Sequence, residues 1–233
     1  MGNEYVLETR DVKKVFPGVV ALDKISLRFR PGKVHSLMGE NGAGKSTTLK
    51  LLTGLIRPDN GKIQVFGEPW QRRHLQRIGA LIEEPALYGN LTAEENLLIH
   101  TTIMGLPKTE IDRVLDVVNL RGTRHKLVSR FSTGMKQRLG IAAALLGKPE
   151  LLILDEPTNG LDPLGIQEFR RLVKSFPKMG ITVILSSHVL TELGQLVDHV
   201  GIICDGRLRY QGAVERDTNL EELFMQVVRG QEG

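Results

Sequence analysis

A single cysteine, Cys204, stands among 233 residues. An internal disulfide is thereby excluded, and a reducing compartment is expected. Long apolar runs are missing as well: stretches such as IAAALLG and LLIL fall far short of the roughly 20 residues that a membrane-spanning helix needs. The chain is therefore not expected to cross a bilayer by itself. The start, MGNEYV, lacks the charged-then-apolar pattern of a leader, and Val6 stands where a myristoylation signal needs Ser or Thr. Strong charge is absent too, the formal net being +4. The basic clusters at Arg72-Arg73-His74 and Arg121 to Lys126 read as solvated surface, and no nucleic-acid partner is expected. No repeat, low-complexity tract or linker-like Pro/Gly stretch interrupts the sequence, so 1–233 reads as a single domain.

What is present is ordinary globular composition, 41% hydrophobic and 25% charged, enough to bury one sizeable core. Short β-branched runs alternate with helical patterns, the signature of an α/β fold with a mainly parallel sheet. Val34 to Met38, Ile78 to Ile82, Leu151 to Leu154 and Thr182 to Ser186 are expected strands. Tyr5 to Val12 and Ala21 to Arg30 alternate instead and predict an antiparallel piece at the N-terminus. Between 92 and 147 the pattern is helix after helix. Thr92 with Glu95 forms a capping box, Gly105 offers a stop, Thr109 opens a second helix through Val118, and Ser132 caps a third. A helical subdomain at about 84–147 is thus expected inside a core of about 1–83 and 148–233.

Three stretches carry chemistry. The first, GENGAGKS at Gly39 to Ser46, follows a strand and opens a helix, as a phosphate-binding loop requires. Gly42 and Gly44 would let backbone N–H groups form a nest for a phosphate, with Lys45 on the β- and γ-phosphates and Ser46 on Mg²⁺. Gly39, Glu40, Asn41, Ala43 and Thr47 complete the nucleotide-binding set. In the second, LLILDEPT, two acids end an apolar strand at the sheet edge where α/β folds hold ligands. Asp155 is placed for the Mg²⁺ shell and Glu156 for accepting a proton from water. In the third, FSTGMKQRLGIAAALL, Ser132 caps a helix whose N-terminus is a second anion site, with Gly134 leaving room for close approach.

In order, GENGAGKS, FSTGM, LLILDE, NGLD and the lone His188 after TVILSS resemble the ATPase subunits of ABC transporters over nearly the whole chain. The resemblance implies a P-loop NTPase core binding ATP and Mg²⁺. It also implies a head-to-tail dimer with a second copy, in which Ser132, Thr133, Gly134 and Met135 act in trans, and a transmembrane permease as partner. The family's usual signature LSGGQ is FSTGM here. By the same resemblance Phe16 stacks on adenine, although a Phe packed on the sheet fits the residues equally; His188 contacts the γ-phosphate, and Asp162 belongs to a loop that communicates across the dimer.

At the end of IGALI most of that family carries a glutamine, whereas this chain has Glu83, with Glu84 read as solvated. An acid there is ionised at neutral pH, its ordinary pKa being about 4.3, and must either face water or meet a cation or ligand. With the resemblance in hand it is assigned both a metal and a catalytic role. IEEPALYGNLT and FSTGMKQRLGIA are similar to the ATPases of lantibiotic-immunity and bacitracin-resistance exporters. That implies a peripheral subunit on the cytoplasmic face of a bacterial membrane, driving expulsion of a peptide antibiotic. Export of another amphiphile, or a soluble ATPase that assembles complexes, remain the competing readings; a chromosome ATPase would need a coiled-coil insertion that is missing. Pro85, Ala86, Leu87, Tyr88 and Leu91 read either as a groove for a permease helix or as a small satellite core. TNLEELFMQVV is expected to form a terminal amphipathic helix.

Overall fold

The computed structural model describes residues 4–188, 196–215 and 218–229. Three strands in it, β4 (Val34–Met38), β8 (Leu151–Leu154) and β9 (Thr182–Ser187), are buried along their entire length. Strands apolar on both faces belong inside a parallel sheet covered by helices, and these three lie side by side as β4-β9-β8. β7 (Ile78–Leu81) adds in parallel beside β8, and β10 (His199–Cys204) in parallel beside β4. Antiparallel β11 (Arg207–Ala213) closes that edge of the six-stranded sheet.

The expected antiparallel piece is a second sheet. β1 (Leu7–Phe16) pairs with β2 (Val19–Ile25), β3 (Arg28–Phe29) and β5 (Asn60–Val65), and β6 (Glu68–Pro69) extends β5. Several boundaries differ from expectation, β1 among them, which runs four residues past Val12 to Phe16. The run Ala21 to Arg30 is broken into β2 and β3, where Lys24 adopts φ 55 and the β1/β2 register slips. β7 ends at Leu81, so Glu83 lies beyond the strand. Strands β5, β10 and β11 were not expected; Asn-Gly, Lys and Arg dilute the apolar alternation in NGKIQV and RLRYQGA, whereas the apolar run in HVGIIC was simply missed.

Among the described residues are six α-helices: α1 (Lys45–Leu52), α2 (Ala93–Met104), α3 (Thr109–Val117), α4 (Thr133–Leu145), α5 (Pro163–Ser175) and α6 (Leu220–Arg229). Between β7 and β8 come only α2, α3, α4 and short 3-10 turns. The Thr92–Glu95 capping box forms, Gly105 ends α2 in the left-handed region, and Ser132 accepts from the Met135 N–H to cap α4. Arg124 ties α2 to α3 through Glu94 and Asp112, and Arg121 pairs with Asp116, so much of this basic cluster is neutralised internally. Ile111, Val114 and Leu115 of α3 and Leu139, Ile141, Ala142 and Leu145 of α4 join the core cluster that continues into β8 and β9.

Candidate nucleotide site

The loop between β4 and α1 is held from behind by glycines. A Cβ on Gly39 would lie 2.3 Å from the Ile203 carbonyl oxygen, and Gly44 sits at φ 107 with Leu22 and Ala21 against it. No other residue type allows both the approach and that backbone region. The Gly206 N–H donates to Ala43 O and the Asp23 N–H to Gly206 O, tying the loop to the β10–β11 turn and to β2. Ala43 is buried, while Glu40, Asn41 and Gly42 are exposed. Lys45 is 5% exposed; its ammonium donates to Gly39 O at 2.8 Å and Glu40 O at 3.1 Å and lies 3.3 Å from Glu156 Oε1. A helix N-terminus with a buried cation curled over its own loop is a preformed anion site.

The two acids after β8 divide their contacts. Asp155, 4% exposed, accepts from Ser46 Oγ at 3.0 Å and from Ser186 Oγ at 2.7 Å. Glu156 adopts φ 44, and its carboxylate bridges Lys45 and His188: Oε2 is 2.8 Å from His188 Nδ1 and accepts from the His188 N–H at 3.3 Å. A bulky acid in the left-handed region costs energy and persists where surroundings fix it. Here Ser186 does so by accepting the Glu156 N–H at 2.7 Å. Ser186 is wholly buried and was missed in the sequence; the signal was a hydroxyl ending the apolar strand TVILSS.

A cavity of about 570 Å³ lies between these groups and the helical segment, lined among others by Ser46, Asp155, Glu156, Asn159, Glu83, Glu84, Thr133 and Lys136. The Ser46 hydroxyl and Asp155 carboxylate are hard oxygens of the kind Mg²⁺ takes together with phosphate oxygens and water. Among the described residues no group of three or more His, Cys, Asp and Glu could hold a metal unaided.

The remaining expected residues fall at varied distances from this centre. Ser132, Thr133, Gly134 and Met135 form the first turn of α4. Ser132 Oγ is engaged as a cap acceptor, leaving its proton for a ligand. Asp162 caps α5 by accepting the Gly165 N–H at 2.7 Å. Phe16, the last residue of β1, is 40% exposed, with Lys14 Nζ 5.4 Å from its ring. The cation that meets Glu83 is Lys50, whose ammonium donates to Oε1 at 2.5 Å and holds the carboxyl below the usual carboxylate range. Lys50 was not anticipated, since 33 residues separate the pair.

Ser46, Asp155 and Glu156 thus meet Thr133, in the first turn of α4, around one cavity. The ABC transporter family model matches residues 22–159. The chain belongs to the ABC transporter family. The bacitracin transport ATP-binding protein BcrA of Bacillus licheniformis is 51% identical over 87% of this chain and 68% of its own length. The lantibiotic transport ATP-binding protein SrtF of Streptococcus pyogenes is 45% identical over 94% and 96%. Among solved structures, cbiO1 of Clostridium perfringens, part of the ABC transporter complex cbiONQ, superposes with a TM-score of 0.84 at 29% identity, covering 98% of this chain and 94% of that one. As an ABC transporter ATP-binding subunit the chain is an ATPase with a P-loop NTPase fold. Subunits of this family dimerise and work with transmembrane permeases. Among the described residues no helix is long and apolar enough to cross a membrane.

Proposed function

We propose that this chain powers export of a peptide antibiotic of the bacitracin or lantibiotic kind from the cytoplasmic face of a bacterial membrane. The observation that carries this reading is the likeness over most of the chain to two subunits named for bacitracin and lantibiotic transport. The site residues take the following roles. Gly39 to Thr47 hold the phosphates of ATP; Ser46 and Asp155 hold Mg²⁺, which when bound neutralises phosphate charge. Glu156 accepts the proton of water, oriented by His188 and Lys45. Phe16 offers a face to adenine. Two copies close head to tail, and Ser132 to Met135 of each reach the nucleotide on the other. Residues 1–233 act as one ATPase domain, with 84–147 as its helical subdomain.

The permease contact is assigned to the loop after Glu83 and the exposed end of α2. Tyr88 is 58% exposed and Ile103 78% exposed. Asn96 fixes the loop, accepting the Tyr88 N–H at 2.8 Å and donating to Tyr88 O at 3.1 Å. Leu87 packs partly against the core. The test is to capture the tagged protein from membranes of its native cell and to measure bacitracin and lantibiotic sensitivity on deletion of its gene. A polytopic membrane protein that is recovered with the wild type and lost with Tyr88→Asp, together with sensitivity on deletion, supports the reading. A purely soluble complex and unchanged sensitivity would put an assembly ATPase in its place.

A further inference from the structure

Glu83 lies two residues past β7 at φ 62, in the region that side chains other than glycine seldom occupy. Its carboxylate is joined to Lys50 at 2.5 Å. Lys50 stands on α1 four residues after Ser46, and residues at that spacing share one face of a helix, with Cβ atoms about 5–6 Å apart. The ion pair therefore tethers Glu83 one helical turn from the hydroxyl that meets Asp155. Ser46, Glu83, Asp155 and Glu156 line the same cavity. Glu83 thus adds a negative charge to a space already lined by the carboxylates of Glu84, Asp155 and Glu156 and due to receive a polyanion. A cation that answers this charge lowers its repulsion of the phosphates.

We propose that Lys50 is the positioning residue for Glu83, fixing the carboxylate beside α1 and cancelling the charge it would otherwise turn on the nucleotide's phosphates. The inference rests on the reading of Glu83 as part of the nucleotide and metal site. With a neutral side chain at 83 the ammonium would have no such task, so the effect of removing Lys50 depends on what stands at 83. A lysine that bound phosphate directly, or that merely stabilised the fold, would show no such dependence.

The experiment is a double-mutant cycle read as the dissociation constant of a fluorescent ATP analogue, with and without Mg²⁺, alongside thermal denaturation. Lys50→Met is expected to weaken binding roughly three- to tenfold at low ionic strength, less in about 0.5 M salt, because the pair is solvent-facing. Lys50→Arg should bind like wild type. In the Glu83→Gln background, Lys50→Met should change affinity less than twofold, and melting temperatures should stay together. Equal weakening in both backgrounds, or none in either, overturns the proposal, as does a loss of affinity that simply follows a loss of stability. The metal reading of Glu83 is judged separately: a Mg²⁺ titration of Glu83→Gln that matches wild type removes Glu83 from the metal shell, while the cycle measured without Mg²⁺ still decides the role of Lys50.

Discussion

Glu156 Oε2 lies 2.8 Å from Nδ1 of His188. With Lys45 3.3 Å from the other carboxylate oxygen, the side chain is held from both ends and cannot wander from the cavity. Glu156→Gln keeps size and hydrogen-bonding reach but removes the proton acceptor. Phosphate release at saturating ATP should fall about 10²- to 10⁴-fold, the usual span of a general base, while ATP affinity stays near wild type. Hydrolysis within a few fold of wild type would sink the assignment.

Ser186 serves both acids, donating to Asp155 and accepting from the Glu156 N–H, each at 2.7 Å. Ser186→Ala strips a buried N–H of its acceptor and a buried carboxylate of a donor. Such losses cost about 1–3 kcal/mol, to be read from urea denaturation. Hydrolysis should drop with ATP affinity less affected, because Glu156 loses the bond that fixes its left-handed backbone. Unchanged stability and turnover would mean that water replaces the hydroxyl freely.

The strands that hold this site were legible where burial left a run of apolar residues, as in LLIL and the VIL of TVILSS. The helix caps at Thr92 and Ser132 were legible because capping is local chemistry. The strands β5 and β11 were not, since Asn, Lys and Arg break their apolar alternation. Long-range pairs were equally hidden. Nothing near Glu83 announces Lys50, and nothing near Asp155 announces Ser186, 31 residues on. A motif gives the residue types of a site, whereas crossover topology decides which neighbours tune them.

Phe16 ends β1 and is 40% exposed. Removing an exposed ring should cost little stability, within about 0.5 kcal/mol. Stacking of a base on an aromatic ring is worth about 1–3 kcal/mol, so Phe16→Ala should weaken ATP binding by roughly tenfold, and Phe16→Tyr should restore it. Calorimetric titration separates the outcomes: a melting temperature that falls while affinity holds would return Phe16 to a packing role.

His35 is 2% exposed at the start of the last strand residues leading toward the phosphate loop, stacked on His199 at 4.9 Å and edge-on to Phe29 at 5.2 Å. Burial pushes its pKa down to about 4, against the raising effects of the Arg30 carbonyl and Asp198; His199 and Lys33 push it down further. Nδ1 of His35 and of His199 have no hydrogen-bond partner among the described residues, so a proton there would go unanswered. The unfolded chain takes up this proton near pH 6.5 and the folded chain only near pH 4. Stability is therefore complete above about pH 6.5, is lost as pH falls through that window, and levels off below about pH 4. The gap corresponds to roughly 3 kcal/mol in all, of which about 2 kcal/mol should appear between pH 7 and pH 5. Urea midpoints at those two pH values should thus diverge for the wild type and converge for His35→Gln, which keeps a donor for the Arg30 carbonyl. If the variant shows the same acid loss as the wild type, the carboxylates rather than this buried imidazole set the acid limit of the fold.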